Sequence, residues 1–373
     1  MRTDFSHKPH LPVEMTTPLP NIIDLTFKEL QQTMIVLGEP SFRATQIHQW
    51  LFSHQVAGFG AMENISLALR TKLSNNFTLI RPEIVEHHES IEETCEQPTE
   101  KILLKLHDNQ MVESVLIPSA ERMTACVSPQ VGCPFQCSFC ATGRMGLHRN
   151  LSAGEIAGQV YALNNLLTAK KSAATITNIV FMGMGEPLLN TDNVIEAIET
   201  LCARDYRFSL SQKRVTISTA GVIPEIRRIA QSGIKTKLAV SLHSADQQKR
   251  ESLMPVAARQ YPLKELAKSL SEYTLTTGMP VTIVYMLLKG VNDSLEDAKL
   301  LARFSRSFLC KINLIDYNAI INMGFRAVSS ETRELFQQYL INAGLYVTIR
   351  KSYGTTINAA CGQLATTTMQ EQQ

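Results

Sequence analysis

The sequence predicts an α/β fold: a partial barrel of six parallel strands and their helices, preceded by a small helical N-terminal domain and a β-hairpin connector. From about residue 124, short apolar strands alternate with amphipathic helices, whereas residues 22–80 show helical periodicity alone. An acidic run separates the two regions. We therefore divide the chain into a helical domain at 1–82, a connector with the hairpin at 83–120, the barrel at 121–365 and a flexible tail at 366–373.

The N-terminal region is predicted to hold three helices. The first begins near Asp24, the second covers Phe42–Ser53, and the third covers Ser66–Asn75 with Ser66 as its N-cap. Seven glutamates between residues 83 and 100 then predict a solvated connector. Two alternating segments around the polar turn 107–110 predict a β-hairpin over residues 101–117.

The barrel is predicted from six strands and five helices. The strands are Ala125–Val127, Asn178–Met182, Arg214–Ser218, Lys237–Leu242, Val281–Met286 and Lys311–Ile315. The helices are Ser152–Leu167, Thr191–Cys202, Pro224–Ser232, Pro262–Thr276 and Leu295–Ser305. In such folds the chemistry lies at the carboxyl ends of the strands, so the loops that follow them are the first place to look for a site.

Composition excludes several classes of protein. The chain has 373 residues, 44% of them hydrophobic, which is enough for a large core and excludes a disordered protein. The net charge of +2 excludes a strongly basic nucleic-acid coat, although residues 1–100 carry −6 and residues 101–373 carry +8. Eight cysteines are too few for a disulfide scaffold of this length. With no apolar leader and no run of about eighteen apolar residues, we expect a cytoplasmic protein without a membrane span.

The most informative motif is a cysteine cluster in the loop after the first barrel strand. Cys133, Cys137 and Cys140 have CxxxCxxC spacing. Three such thiolates can hold three irons of a [4Fe–4S] cluster, where a fully protein-bound cluster has four. The fourth iron is then open to a small chelating ligand, which for this spacing means the amino and carboxylate groups of S-adenosylmethionine. The alternatives are a zinc site, which needs a fourth ligand such as His148, and three unrelated core cysteines.

Polar groups at the other strand ends fit a cofactor site. Glycines in Phe181-Met-Gly-Met-Gly-Glu-Pro allow a ligand to approach the backbone, and Glu186 offers a carboxylate to an ammonium group. Each residue alone is an ordinary strand-end residue, but together they face one rim. The predicted cofactor-binding set is Gly185, Glu186, Ser218, Ser241, Leu242, His243 and Asn318.

Two further cysteines are candidates for chemistry. Cys126 lies on the first barrel strand, and Cys361 lies in a small-residue loop after a late strand at 346–350. Small neighbours and a following glycine suit an approachable sulfur, although a buried inert thiol is the ordinary alternative for each one alone. We interpret Cys95, Cys202 and Cys310 as inert thiols.

At these residues the sequence resembles the RlmN/Cfr family of radical S-adenosylmethionine rRNA adenine methyltransferases. The resemblance runs from about residue 20 to 365. The matching segments are Gln130–Gly132 with the cysteine motif to Gly143, Phe181–Asn190, Ile217–Gly221, Ser241–His243, Lys311–Ile315 and Ala359–Leu364. The barrel is accordingly identified as a radical-SAM partial barrel, and the helical domain as an RNA-contacting accessory domain.

The resemblance implies a role for each candidate residue. Cys133, Cys137 and Cys140 would ligate a [4Fe–4S] cluster, and the predicted strand-end set would bind S-adenosylmethionine, of which two are used per turnover. Cys361 would be methylated and then add its methyl carbon, as a radical, to an adenine ring carbon. Cys126 would resolve the protein–RNA adduct through a transient disulfide with Cys361. Glu113 matches a position assigned as proton acceptor, with a surface glutamate as the alternative.

The resemblance also implies the partners. They are 23S rRNA, with tRNA as a second candidate, and a flavodoxin- or ferredoxin-type reductant; we expect a monomer. Because an amidine carbon of adenine is electrophilic, a methyl cation cannot be transferred to it directly, whereas a radical held on a protein sulfur can react there. We expect basic side chains near the strand-end loops to meet RNA phosphates. They are Arg144, Arg149, Lys213, Arg214, Arg350 and Lys351.

Three alternatives to this function stay open at the level of sequence. The favoured target is C2 of adenosine, and the alternative within the family is Cfr-like methylation of C8. A radical enzyme of another branch would not need Cys126 and Cys361, and a non-catalytic RNA-binding protein would hold structural zinc. Residues 319–326, after Asn318, lack the proline common there in the family, so the substrate loop differs.

Overall fold

The structure is a computed structural model that describes residues 19–90, 97–170, 174–203, 208, 210–321, 323–350 and 353–365. The predicted tail at 366–373, Cys95 and Lys351 lie outside the described residues. None of the described helices is long and apolar enough to cross a membrane.

The N-terminal domain contains the three predicted helices. They are α1 (Phe27–Val36), α2 (Phe42–Phe52) and α3 (Leu67–Asn76). Thr26 and Glu29 form a capping box at the start of α1, and the Ser66 side chain accepts a hydrogen bond from the Leu69 amide at the start of α3. Each helix buries an apolar stripe, in which Leu30, Ile47 and Leu69 are fully enclosed. The sequence prediction of these three helices is confirmed.

A single ten-stranded sheet contains both the hairpin and the barrel. Its strands are β1 (Glu83–Glu89), β2 (Glu100–Lys105), β3 (Met111–Ser119), β4 (Arg122–Cys126), β7 (Asn178–Phe181), β8 (Val215–Thr219), β9 (Lys237–Ser241), β10 (Val281–Leu287), β11 (Cys310–Asp316) and β12 (Val347–Arg350), paired in that order. A separate two-stranded sheet is formed by β5 (Gln130–Gly132) and β6 (Leu147–Asn150). From β4 to β12 every pairing in the large sheet is parallel, as the barrel prediction requires.

The acidic connector differs from its prediction. Residues 83–89 form β1, which pairs antiparallel with β2 with one irregularity between Ile84 and Glu86, so part of the run predicted as a solvated connector is an edge strand. Six of its seven residues are exposed and the other is half-buried, which explains why the segment lacks the alternating apolar pattern of a typical strand. The hairpin strand β3 pairs with β4, and the connector therefore continues the barrel sheet.

Helices lie in the connections between the later strands. They are α4 (Ala141–Arg144), α5 (Ala153–Ala169), α6 (Thr191–Cys202), α7 (Ile223–Ser232), α8 (Gln247–Leu253), α9 (Pro255–Gln260), α10 (Leu263–Thr277), α11 (Leu295–Ser305) and α12 (Ser330–Asn342). The five predicted helices correspond to α5, α6, α7, α10 and α11. A capping box begins α5, with the Glu155 side chain bonded back to the Ser152 amide. The core lies between these helices and the sheet, where Ile179, Ile217 and Leu238 are fully buried.

Candidate active site

The three motif cysteines lie in a loop that the β5–β6 ribbon holds closed. The Cys133 amide donates to the Gly146 carbonyl at 2.8 Å, which joins the two ends of the loop. Gly132 has φ +77°, and a Cβ there would stand 1.8 Å from that same carbonyl oxygen, so only glycine fits. Within the loop, the Cys140 amide bonds to the Cys137 carbonyl at 3.2 Å. This backbone arrangement brings the three thiols to one side.

All three thiols line one cavity of about 940 Å³, open in part to solvent. The cavity lies over the carboxyl ends of the parallel strands, where the fold class places chemistry. Most of the predicted cofactor-binding residues share its wall. They are Gly185, Glu186, Ser218, Ser241 and His243.

The donor set fits an iron–sulfur cluster better than a single zinc ion. Without a metal, burial, and then mutual repulsion among the thiolates or with Glu186, raises the pKa of Cys137 well above its usual range and that of Cys133 to about 12, so either metal must displace the thiol protons. Sulfurs around one tetrahedral zinc ion lie about 3.8 Å apart, given Zn–S bonds of about 2.3 Å. No three metal-binding side chains that include a cysteine come within 4.8 Å of one another among the described residues. The thiols are therefore spread more widely than a zinc site requires.

The two histidines considered as further ligands do not complete a zinc site. His148 is exposed and lies outside the cavity wall. His243 is in the wall, but its Nδ1 accepts a hydrogen bond from the Met286 amide at 3.1 Å. Burial, with Arg250 nearby, lowers the pKa of His243 to about 3, so the ring is neutral and carries its proton on Nε2. The His243 and Phe139 rings pack in a T-shaped arrangement, with the centroids 4.8 Å apart.

Glu186 is held in place by backbone amides. Its carboxylate accepts from the Leu188 amide at 3.0 Å and from the Ala220 amide at 2.7 Å. Burial nevertheless outweighs these bonds and raises the pKa of Glu186 to about 7. Gly185, with φ +101°, would place a Cβ 2.5 Å from the Gln130 side chain. Only a glycine at position 185 therefore allows the backbone conformation that places Glu186 in the cavity wall.

Serine residues on neighbouring strands complete this wall. Ser218 on β8 and Ser241 on β9 both line the cavity. Leu242, also predicted to bind the cofactor, is fully buried and does not line the cavity, and its amide donates to the Val284 carbonyl at 3.0 Å. Its contribution is therefore to fix the strand end between Ser241 and His243.

A second cavity, of about 490 Å³, adjoins the first. It is lined by Cys126 and Asn318, and it shares Met182, Ile315, Arg350 and Cys361 with the first cavity. Cys361 thus stands in the wall common to both. The structure places Asn318 in this second cavity, where its side-chain amide is 3.4 Å from the Cys361 carbonyl oxygen. It is not among the residues that line the cavity of the three motif cysteines.

The loop that carries Cys361 is tied directly to the cysteine motif. The Ala141 amide donates to the Gly362 carbonyl at 2.8 Å, and the Thr142 hydroxyl donates to the Leu364 carbonyl at 2.6 Å. On the other side, the Gln363 side chain donates to the Ala319 carbonyl at 3.0 Å. These bonds hold the thiol at a defined position relative to the motif.

Cys126 is a buried thiol close to Cys361. Burial, followed by the charge of Cys361, raises the pKa of Cys126 to about 12, while Arg350 acts in the opposite direction. Arg350 lines both cavities and donates to the Met182 sulfur at 3.2 Å. The sequence indicates Arg350 only as a phosphate contact, because its place beside Cys126 and Cys361 depends on the strand register.

Glu113 is buried on β3 and is not the surface glutamate of the alternative interpretation. Its carboxylate pairs with the Lys101 ammonium at 2.8 Å and accepts from the Ala365 amide at 2.9 Å. Burial raises its pKa despite these contacts. It lines neither cavity, and its visible effect is to anchor the end of the Cys361 loop.

The predicted phosphate contacts lie in different places in the structure. Lys213 and Arg214 precede β8 and lie at the amino end of that strand, opposite the cavity. Arg149 is bound to Asp108 at 2.6 Å and to Glu155 at 2.7 Å, and is not a free surface cation. Spacing in the sequence does not reveal either fact, since both depend on how the loops are placed in the fold.

Arg250 is a buried residue that the sequence does not reveal. It lies within a charged stretch of α8 that resembles a solvated helix face, yet it is fully buried. It donates to the Ala220 carbonyl at 2.7 Å and to the Tyr261 carbonyl at 3.0 Å. It thereby supports residue Ala220, whose amide holds Glu186.

Comparison with known proteins identifies the family. The chain matches the model of the radical SAM superfamily over residues 127–302 and the model of the ribosomal RNA large subunit methyltransferase N-terminal domain over residues 20–79. It is 71% identical to a probable dual-specificity RNA methyltransferase RlmN of Pelodictyon phaeoclathratiforme, covering 95% of this chain and 98% of that protein. The chain belongs to the RlmN family. A protein of the same name from Chlorobium chlorochromatii is 59% identical over 95% of this chain and 96% of its own length.

A solved structure of a radical SAM methyltransferase confirms the fold. The crystal structure of a radical SAM methyltransferase from Sphaerobacter thermophilus is 39% identical, has a TM-score of 0.84, and covers 93% of this chain and 99% of that one. The resemblance inferred from the cysteine motif is therefore confirmed, as is the α/β partial-barrel fold. Membership of the radical SAM superfamily implies a [4Fe–4S] cluster and S-adenosylmethionine, and the thiol arrangement described above fits that cluster.

Proposed function

We propose that this protein is an S-adenosylmethionine-dependent rRNA adenine-C-methyltransferase that methylates C2 of an adenosine in 23S rRNA, with tRNA as a second substrate. The observation that carries the proposal is the position of Cys361 in the wall between the cavity of the three motif cysteines and the cavity of Cys126. Relatives that are named dual-specificity RNA methyltransferases and span nearly the whole chain support the substrate class.

The cofactor-binding roles follow from the cavity wall. Cys133, Cys137 and Cys140 hold the cluster as thiolates. Glu186, fixed by two backbone amides, accepts hydrogen bonds from the amino group of S-adenosylmethionine, and Gly185 allows that group to approach. The remaining polar contacts come from the strand ends and from the second cavity. They are Ser218, Ser241 to His243, and Asn318.

The cluster and S-adenosylmethionine, when bound, supply a 5′-deoxyadenosyl radical by one-electron cleavage of the sulfonium. Cys361 acts before and after that event. Its thiolate first takes a methyl group from one S-adenosylmethionine, and a hydrogen atom is then removed from this methyl group. The carbon radical on the Cys361 sulfur adds to C2 of the adenine. The adduct then gives up the C2 proton and one electron, and that electron would be accepted by the cluster, oxidised when S-adenosylmethionine was cleaved.

Cys126 releases the product. Its thiolate attacks the Cys361 sulfur, the sulfur–carbon bond breaks, and the carbon takes the electron pair and a proton to become the methyl group. The resulting disulfide is reduced by an external two-electron donor. The neighbouring positions of the two thiols and the cation of Arg350 support this role. Glu113, whose raised pKa makes it a stronger base than an ordinary glutamate, is proposed as the proton acceptor.

The reaction also depends on an electron donor, the cellular environment and the form of the RNA. The cluster requires a flavodoxin- or ferredoxin-type electron donor and a reducing cytoplasm, and the protein is proposed to act as a monomer. The target base must leave its stack to reach Cys361, so unpaired or splayed RNA is the expected form of the substrate.

Nucleoside mass spectrometry tests the proposal. rRNA and tRNA from cells with and without the gene are digested, and 2-methyladenosine is resolved from 8-methyladenosine by retention time. We expect 2-methyladenosine in 23S rRNA to disappear without the gene and to return with the wild-type chain but not with Cys361→Ala. Because the loop after Asn318 differs from the family pattern, the Cfr-like alternative is included in the test. Loss of 8-methyladenosine alone would support it. No change in either nucleoside would contradict the proposal.

A further inference from the structure

The two faces of the barrel sheet differ in polarity and exposure. On the helix side, residues such as Ile217, Leu238 and Ile312 are fully buried. On the opposite side, the strands carry polar and half-buried side chains. They are Thr124, Asn178, Thr216, Thr282, Asn313 and Thr348.

This second side is the concave face that leads into the active site. Side chains alternate along a strand, so Thr216 shares a face with Ser218, and Asn313 shares a face with Ile315. Ser218 and Ile315 line the cavity of the motif cysteines. Between the cavity and the amino ends of the strands, this face carries hydroxyl and amide side chains, among them Thr216, Asn313 and Thr348, interspersed with apolar residues such as Ala239 and Val284. We call these hydroxyl and amide groups the polar wall.

Four cations stand on this concave face at the amino ends of their strands. We call Arg122 on β4, Arg214 before β8, Lys237 on β9 and Lys311 on β11 the lower rim. Lys237 is four residues before Ser241, which corresponds to about 13 Å along the strand. A short single-stranded segment of RNA can therefore reach from the active-site cavity to the lower rim.

The lower rim is a cluster of like charges. Arg122, Arg214 and Lys237 are exposed and Lys311 is half-buried, and none of the four forms an ion pair with a carboxylate of the described residues. The pKa of Lys237 is lowered first by partial burial and then by the charges of Lys311, Arg122 and Arg214. These cations therefore lie close enough to repel one another, and bound anions would relieve the repulsion.

We propose that the lower rim binds the phosphates of the substrate RNA that flank the target nucleotide, while the polar wall contacts its sugars. This inference rests on the proposed function, because it takes RNA as the substrate. A free inorganic anion would need only the four cations, whereas a polynucleotide uses both the cations and the hydroxyl and amide groups between them and the cavity.

Salt-dependent RNA binding tests the lower rim. The probe is a fluorescein-labelled RNA stem-loop with an adenosine in its loop, titrated by anisotropy at several KCl concentrations. The variant is Lys237→Gln with Lys311→Gln, and the matched control is Lys264→Gln with Lys268→Gln on the exposed side of α10. We expect the rim variant to lower the slope of log Kd against log salt by about 1.4, because each phosphate that is no longer neutralised accounts for about 0.7. Its affinity at 0.1 M KCl should fall about tenfold or more.

The controls separate the possible outcomes. Thermal unfolding and cleavage of S-adenosylmethionine without RNA should be the same for both variants as for the wild type. Equal binding slopes for the rim variant, the α10 control and the wild type would overturn the lower-rim assignment and leave the proposed function standing. Failure of the wild type to bind the RNA at any salt concentration would overturn RNA as the substrate, and with it this surface.

Discussion

At the scale of single residues, the glycine before Glu186 sets the shape of the site. Gly185 has a positive φ and no room for a Cβ, because the Gln130 side chain lies 2.5 Å from the position that this Cβ would occupy. The side chain of the same Gln130 accepts a hydrogen bond from the Glu186 amide at 2.8 Å, so any shift of Gly185 displaces the carboxylate. Residue 185 therefore controls the placement of Glu186 through the backbone.

We predict that Gly185→Ala weakens binding of S-adenosylmethionine by at least about tenfold, because a clash of this size forces the backbone to move. Equilibrium dialysis with the cluster-loaded protein measures the effect. Gly278→Ala at the end of α10 is the matched control, since Gly278 also has a positive φ but has free space around it. If Gly185→Ala and the wild type bound S-adenosylmethionine with equal affinity, the placement of Glu186 would not depend on a glycine at position 185.

Which residues carry the chemistry is predictable from the sequence only where a motif fixes them. The CxxxCxxC spacing predicts the cluster ligands, and the small residues around Cys361 predict an approachable thiol. The burial of Glu113 and Arg250 is not predictable in this way. Both belong to local patterns typical of solvated surfaces, and their partners, Lys101 for Glu113 and the Ala220 and Tyr261 carbonyls for Arg250, come from other segments.

At the scale of elements, the decisive contact joins the cysteine motif to the Cys361 loop. The Thr142 hydroxyl donates to the Leu364 carbonyl at 2.6 Å, and both residues are buried. Removal of one buried hydrogen-bonding group leaves the other without a partner, which costs about 1–3 kcal/mol. The order of the loop should therefore depend strongly on this bond.

We predict that Thr142→Val, which keeps the shape but removes the hydroxyl, increases amide hydrogen exchange of residues 359–365 by about tenfold, as expected for a loss of about 1.4 kcal/mol. Hydrogen exchange followed by mass spectrometry measures it. Thr71→Val is the control, because its hydroxyl bonds only within an exposed helix turn. Unchanged protection of residues 359–365 in Thr142→Val would mean that the remaining hydrogen bonds, from Ala141 to Gly362 and from Gln363 to Ala319, are enough to keep the loop ordered.

The N-terminal domain should respond to pH through His48. This ring is buried on α2 against Phe27 and Phe52, with centroid distances of 5.3 and 4.5 Å, and burial lowers its pKa to about 4. The unfolded chain binds this proton at about pH 6.5, so the stability contributed by the neutral ring is full above that pH and falls as the pH drops toward 4.

We predict a loss of about 1.5 kcal/mol of domain stability from His48 alone when the pH falls from about 6.5 to about 5. Urea unfolding at the two pH values measures it. His48→Gln should remove this part of the pH dependence, whereas His54→Gln, at an exposed position after α2, should keep it. The same pH dependence in His48→Gln as in the wild type would contradict the assignment.

At the scale of the whole molecule, the class of fold is predictable because strand and helix periods alternate so regularly after residue 121. Strand β1 is not predictable, since its exposed, glutamate-rich pattern has no period. Nor does the sequence show which ends of the strands the cations occupy. Lys213 and Arg214 are expected near the active-site loops, and the structure places them at the opposite edge of the sheet.

The proposed chemistry depends on the pair formed by Cys361 and Cys126 across the second cavity. The measurement that tests it most directly is mass spectrometry of the Cys126→Ala protein after turnover with the RNA stem-loop, S-adenosylmethionine and a reductant. We predict a covalent adduct in which one carbon joins the Cys361 sulfur to an adenine ring, because the thiol that releases it is missing. Cys202→Ala is the matched control and should release methylated RNA. Free methylated RNA from Cys126→Ala at the wild-type yield, with no adduct on Cys361, would contradict the proposed roles of both thiols.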